Sequence, residues 1–131
     1  LQVLSHRTAA YYDTKWPGGA RDCLPPAAGP TPELPSMESS EVDFFSPEAT
    51  GHASWEALGF QPERPVRFSY AYTPERHGCE LGNATVPTGV VFRAQGDLDG
   101  DGVHSSFERR ASVDAKGFTP AEALMVQHRT E

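Results

Sequence analysis

The clearest alternation of apolar and polar residues lies in the middle of the chain. Between Val66 and Tyr72 every second residue is apolar or aromatic. This period of two predicts a β-strand that carries Val66, Phe68, Tyr70 and Tyr72 on one face. It is the best-defined strand in the sequence.

Two more strands are predicted on either side of an acidic segment. Residues 85–94 are rich in β-branched side chains and contain both Pro and Gly, which favours a strand over a helix. Residues 107–114 alternate weakly with a period of two, so a strand is predicted here as well, with a helix kept as the alternative. We therefore expect a hairpin of strand, loop and strand.

Helical patterns are short. Leu1, Leu4 and Tyr11 or Tyr12 fall on one side of a helix that the turn at residues 16–19 would end. Residues 17–35 hold six prolines, so they predict an extended, partly polyproline-like connector laid over the surface.

Two further helical signals follow the connector. Ser54 is a plausible N-cap and Gly59 a plausible residue after the C-terminus of a single turn. That turn would insert three apolar side chains into the core: Trp55, Leu58 and Phe60. Thr119-Pro120-Ala121-Glu122 matches a capping box with proline at the first helical position, and predicts a short helix from Pro120 to about Gln127.

These elements predict one α+β domain over residues 1–131, in which the first helix packs on a small antiparallel sheet. Its parts are a helix in 1–14, a proline-rich connector in 15–54, and the sheet, acidic loop and terminal helix in 55–131. A net charge of −7 without a basic block disfavours nucleic acid as a partner. There is no apolar run of membrane-spanning length and no signal peptide. Because the chain begins at Leu1 without an initiator Met, we expect a processed protein or a trimmed fragment.

The acidic segment from Asp97 to Glu108 carries the strongest chemical signal. Oxygen-bearing side chains occupy positions 1, 3, 5, 9 and 12 of a calcium loop, and Gly102 at position 6 permits a sharp turn. The predicted ligands are Asp97, Asp99, Asp101, the Val103 carbonyl, Ser105 and Glu108. The alternative is a solvated acidic turn, but four crowded carboxylates repel one another unless a cation lies among them. The ligand count favours Ca²⁺ over Mg²⁺.

The flanking strands indicate what such an ion would do. A calcium sensor needs paired helices that open when the ion binds. A hairpin cannot open in this way, so the ion is expected to stabilise the fold.

Two cysteines, Cys23 and Cys79, lie in loop-like sequence and in no CxxC pair, which disfavours a zinc site. One disulfide that closes a long loop is the economical interpretation, and it would contribute roughly 4 kcal/mol on the chain-entropy model. It would also indicate an oxidising compartment. An enzyme is not expected, because the five histidines are scattered and neither an HExxH nor a GxSxG motif is present.

Three features in this order resemble the soluble C-terminal part of type IV pilin-like proteins, closest to those of predatory and gliding delta-type bacteria. They are Trp55–Phe60, the aromatic strand Phe68–Tyr72, and the segment Phe92–Gly102 with Ser105 or Ser106 and Phe107 behind it. The proline-rich connector also fits, so the resemblance covers about residues 16–113.

The resemblance implies a non-enzymatic subunit of a type IV pilus or a type II secretion-like filament, at the cell surface or in the periplasm. It implies that residues 1–12 are the end of an apolar N-terminal helix that anchors the full-length protein in the inner membrane before assembly. The implied partners are other pilin or minor pilin subunits and a tip adhesin. Cys23 and Cys79 lie farther forward than the paired cysteines of many major pilins, which favours a minor pilin or pseudopilin.

The alternative function is a stand-alone extracellular module for calcium-dependent adhesion or carbohydrate binding. Exposed aromatic side chains beside an open calcium position would favour it. Tyr70 and Tyr72 on a buried strand face would count against it.

Overall fold

The computed structural model describes residues 1–14, 16–83, 86–97, 100–102, 104–120 and 125–127. Its longest helix is α1 (Gln2–Asp13), as the sequence predicts. The buried side of α1 is formed by Leu4, Ser5, Thr8 and Tyr12. Because Thr8 donates its hydroxyl hydrogen to the Leu4 carbonyl at 2.8 Å, a polar residue is accommodated on this buried side.

An antiparallel sheet forms the rest of the framework. Its strands are β1 (Ala28–Thr31), β2 (Ser69–Pro74), β3 (Thr88–Gly96), β4 (Ser105–Asp114), β5 (Gly117–Pro120) and β6 (Met125–Gln127). They are ordered β1-β2-β3-β4-β5, and β6 also pairs with β4. One α-helix, α2 (His52–Leu58), and short 3₁₀ turns at Pro17–Gly19 and Leu81–Asn83 lie between strands or before them. The expected α+β arrangement is confirmed.

Helix α1 packs against α2 and against β4 and β5 on one face of the sheet. The Tyr12 hydroxyl reaches the Asp114 carbonyl in β4 at 3.5 Å, and Tyr12 is buried. An aromatic cluster fills the adjoining space, with ring centroids 5.4 Å apart for Phe44 and Trp55 and 5.7 Å apart for Phe60 and Tyr70. Phe44, Trp55 and Phe60 are buried, and burial of such aromatic rings helps to hold the helices on the sheet.

The connector is more structured than the sequence predicts. It contributes β1, which pairs with β2, and it buries Leu24, Ala28 and Thr31. The prolines explain the position of this strand, because Pro30 cannot donate a ladder hydrogen bond and β1 lies at the edge of the sheet. Thr31 accepts a hydrogen bond from the Trp55 indole at 3.0 Å, which links α2 to this edge.

The central strand begins later than predicted. Tyr72 is buried, but β2 starts at Ser69, and Val66 instead forms an isolated bridge with Ser40 of the connector. Helix α2 is capped by Gly51, not by Ser54, whose hydroxyl hydrogen goes to the Pro26 carbonyl at 2.7 Å. The prediction for Gly59 is confirmed, since it ends α2 in the left-handed conformation.

The predicted C-terminal helix from Pro120 to about Gln127 is wrong where the structure describes the chain. Pro120 ends β5, and Met125–Gln127 form β6; residues 121–124 lie outside the described residues. Both strands pair with β4, so sheet pairing outweighs a capping motif that is worth about 1 kcal/mol.

Candidate metal site

The predicted calcium loop joins two paired strands. β3 and β4 keep an unbroken register from Thr88↔Val113 to Gly96↔Ser105, so residues 97–104 form the connection. The strand–loop–strand hairpin is therefore confirmed, and the helical alternative for the exit side is excluded. Of the six predicted ligands, Asp97, Asp101, Ser105 and Glu108 fall on described residues, whereas Asp99 and Val103 lie outside them.

Asp97, the first predicted ligand, accepts hydrogen bonds from two backbone amides of the loop. Its Oδ2 accepts a hydrogen bond from the Gly102 amide at 3.1 Å, and its carbonyl accepts one from the Gly100 amide at 3.2 Å. Its Oδ1 is buried and has no hydrogen-bond partner among the described residues. A buried carboxylate oxygen without a donor is costly, and a bound cation would remove that cost.

The backbone adopts the turn that the loop requires. Gly102 has φ +83° and Gly100 has φ +72°, both in the left-handed region that glycine enters without a steric cost. The role predicted for Gly102 is thus confirmed in the backbone. A methyl group at Gly102 would meet no neighbouring atom within 4 Å, so only the dihedral angle restricts this position.

The remaining described ligands differ in exposure. Asp101 is exposed, whereas Ser105 is 3% exposed at the start of β4. Among the described residues no group of three or more His, Cys, Asp or Glu side chains is arranged to hold a metal. A complete cage would depend on Asp99 and on the Val103 carbonyl.

Two arginine side chains already bind the Glu108 carboxylate. Arg93, which lies directly opposite on β3, donates to Glu108 Oε1 through Nε at 2.8 Å and also through Nη2. Arg110 Nη2 lies 3.4 Å from Oε2. The hydrogen bonds from Arg93 lower the pKa of the Glu108 carboxyl, which therefore stays ionised across the neutral range.

The strand geometry separates Glu108 from Ser105, another predicted ligand in β4. Side chains alternate between the two faces of a strand, so Ser105 and Glu108, three residues apart in β4, point to opposite faces. They are also separated by about 10 Å along the strand. In a helix, residues three apart would share one side. To join a cage around Asp97, Glu108 would have to leave both arginines.

The predicted disulfide is present. Cys23 and Cys79 are joined by an S–S bond of 2.09 Å, at a sequence separation of 56. Next to it, the amides of Leu24 and Gly78 each donate to the other's carbonyl at 2.9 Å. The bond therefore joins the connector to the segment between β2 and β3.

Sequence reasoning missed the arginines that hold Glu108. Opposite charges in cross-strand positions of a hairpin would have indicated the Arg93–Glu108 pair once the register was known. The register depends on the length of the connecting loop, which the sequence alone left open.

Comparison with known proteins gives no further assignment. The chain matches no protein family, no curated protein and no solved structure. Within the described residues, none of the helices has the length and apolar character needed to cross a membrane.

Proposed function

We propose that this chain is a non-enzymatic, pilin-like structural subunit, a minor pilin or pseudopilin of a type IV pilus or type II secretion-like filament. The observation that carries the proposal is the arrangement of α1 on an antiparallel sheet whose β3–β4 connection is the aspartate loop. This is the arrangement that the sequence resemblance implies. The subunit would act by packing against sister subunits, with a tip adhesin as a further partner.

One calcium ion is proposed to stabilise the loop. Asp97, Asp99, Asp101, the Val103 carbonyl and Ser105 would supply ligands, and water would complete the shell. The support is the ligand spacing, the left-handed Gly102 and the Oδ1 of Asp97, which has no hydrogen-bond partner in the described part of the chain. Glu108 is left out of this set because it is held by Arg93 and Arg110.

The disulfide supports an extracytoplasmic location, either the periplasm or the cell surface, because such bonds persist in oxidising compartments. In the full-length protein, an apolar helix ahead of α1 would anchor the subunit in the inner membrane before assembly.

The burial of the strand aromatics disfavours the alternative adhesion or carbohydrate-binding module. Tyr72 is fully buried and donates its hydroxyl hydrogen to the Pro25 carbonyl at 2.9 Å, and Tyr70 is half-buried against Phe60. The Tyr72 ring is therefore not available as an open stacking platform. Burial also raises the pKa of both phenols, which keeps them neutral.

The filament proposal is tested in the source bacterium with a tag in the exposed turn at Ala115 and Lys116. We expect the tagged protein in sheared filaments or cross-linked to other pilin-like subunits, and we expect assembly or secretion to fail when the gene is deleted. A protein that is found only as free monomer, in cells whose filaments and secretion are unaffected by the deletion, would refute the proposal.

A further inference from the structure

A groove of about 680 Å³ lies between the start of α1 and the segment that leads into β2. Its apolar lining includes Val3 of α1 together with Phe60, Val66 and Phe68. Val3 is 60% exposed beside these aromatic side chains. The groove is therefore an apolar surface of the subunit that remains open to solvent.

The rim of this groove is positively charged. Arg7, Arg64 and Arg67 line it and are exposed, and Glu63 is the single acidic side chain among the described residues that line it. None of the three arginines takes part in an ion pair with another described residue. In a chain of net charge −7, three cations around one apolar groove form a local patch of opposite sign.

The connector carries a segment with complementary properties. Residues 33–41 contain Glu33, Glu38 and Glu41, all of them exposed. Between these acids, Leu34 is 70% exposed and Met37 is 50% exposed. An apolar side chain flanked by carboxylates is the chemistry that an apolar groove with an arginine rim would bind.

This segment is held beside its own groove and does not enter it. The Ser36 amide donates to the Arg67 carbonyl at 3.0 Å, and Ser40 and Val66 exchange two backbone hydrogen bonds of 2.8 and 2.9 Å. These bonds make the segment a wall of the groove, which Ser39 lines and Leu34 does not. Leu34 is 70% exposed outside the groove of its own chain, so it is accessible to another copy.

We propose that the groove binds the Glu33–Glu38 segment of a second copy of this chain, with Leu34 on the apolar floor and the glutamates against the arginine rim. The inference deepens the proposed function by assigning one contact between subunits. It can be tested separately, since the contact is made by described residues of the chain itself.

The test is sedimentation equilibrium of the purified chain from micromolar to millimolar concentration at low salt. We expect concentration-dependent self-association that weakens in 0.5 M NaCl, because rim charges are screened. The variant Arg64→Glu/Arg67→Glu should associate roughly tenfold more weakly, since two rim pairs become repulsive. The matched control Arg21→Glu/Lys116→Glu changes the net charge equally at remote exposed sites and should behave like the wild type.

A charge exchange makes the test specific. Glu33→Arg/Glu38→Arg should also weaken self-association, and mixing it with Arg64→Glu/Arg67→Glu should restore binding between the two variants. Leu34→Ser should reduce association, whereas Val86→Ser, at another exposed position (64%), should not. Circular dichroism melts of every variant establish that it is folded.

The contradicting results are equally defined. A wild-type chain that stays monomeric at millimolar concentration, arginine variants no weaker than the control, or mixed variants that fail to bind would each overturn the inference. If the arginine variants enter filaments like the wild type, the groove contact is refuted but the proposed function is not. If the wild-type protein never enters an assembly in the cell, the proposed function falls.

Discussion

Replacing Glu108 by Gln distinguishes two roles of this side chain: a calcium ligand, and the ion-pair partner of Arg93 and Arg110. As a calcium ligand at position 12, Glu108 would matter mainly when calcium is present. As the partner of Arg93 and Arg110, it should matter equally in the presence of a chelator. The structure favours the second role, because its carboxylate accepts hydrogen bonds from both arginines.

The size of the stability loss expected for Glu108→Gln depends on how exposed the three charged side chains are. The Glu108 side chain is 14% exposed, whereas those of Arg93 and Arg110 are 46% and 57% exposed. Charge-assisted hydrogen bonds contribute about 1.5–3 kcal/mol, and exposed ion pairs about 0–1 kcal/mol. Because solvent screens both arginines, we expect Glu108→Gln to lower the free energy of unfolding by about 1 kcal/mol, a decrease in Tm of about 4 °C.

The pH dependence adds a second readout. The pKa of Glu108 is lowered in the folded state, so its contribution is complete above the unfolded pKa of about 4.3. The contribution is lost as the pH falls through the lower folded pKa. The difference in the free energy of unfolding between wild type and Glu108→Gln should therefore be constant near neutral pH and should disappear at acidic pH.

The assay is thermal and urea unfolding in EDTA at pH 7 and pH 3, with Glu56→Gln as a control at an exposed position on α2. The control should change stability by less than about 0.5 kcal/mol. Two results together would refute the reasoning: Glu108→Gln as stable as wild type in EDTA, and calcium binding abolished by the same substitution. They would place Glu108 in the metal site and not on the arginines.

Three further predictions concern the loop, the disulfide and the aromatic core. Gly102→Ala should lower the free energy of unfolding by about 1 kcal/mol, because alanine is strained at a φ of +83°, and it should weaken calcium binding. Melting with and without CaCl₂ measures both effects. An unchanged Tm in both conditions would show that the turn does not need glycine. Cys23→Ser/Cys79→Ser should lower the free energy of unfolding in urea by roughly 4 kcal/mol, and a loss below 1 kcal/mol would contradict the loop-closure argument. Trp55→Phe should cost about 1–3 kcal/mol by urea unfolding, because the indole hydrogen bond to Thr31 is lost in a fully buried site, and an unchanged midpoint would refute that role.

The elements with strong local signals could be predicted from the sequence. Helix α1, the hairpin around Asp97 and the left-handed Gly59 and Gly102 follow from periodicity and from glycine chemistry. Strand β1 was missed because its prolines disfavour a strand locally, and only pairing with β2 at the sheet edge stabilises it. The terminal helix was predicted wrongly for the opposite reason, since pairing with β4 outweighs a local capping motif.

In the candidate site, too, some features follow from local sequence and others depend on strand pairing. The spacing of Asp97, Asp101 and Ser105 and the turn at Gly102 depend on local sequence, which is why they could be proposed from it. The place of Glu108 depends on whether β4 is a strand or a helix, because only a helix puts residues three apart on one side. Its pairing with Arg93 depends on the register of two strands, which a ligand motif does not encode.

Calcium titration of the chelator-treated protein by isothermal calorimetry tests the metal proposal most directly, with Asp97→Asn and Glu108→Gln as variants. We predict one ion per chain with a Kd of about 0.1–1 mM or tighter, binding lost in Asp97→Asn, and binding retained in Glu108→Gln. A wild-type chain that binds no calcium at about 10 mM, well above the range of extracellular sites, would contradict the proposal that a cation holds this loop.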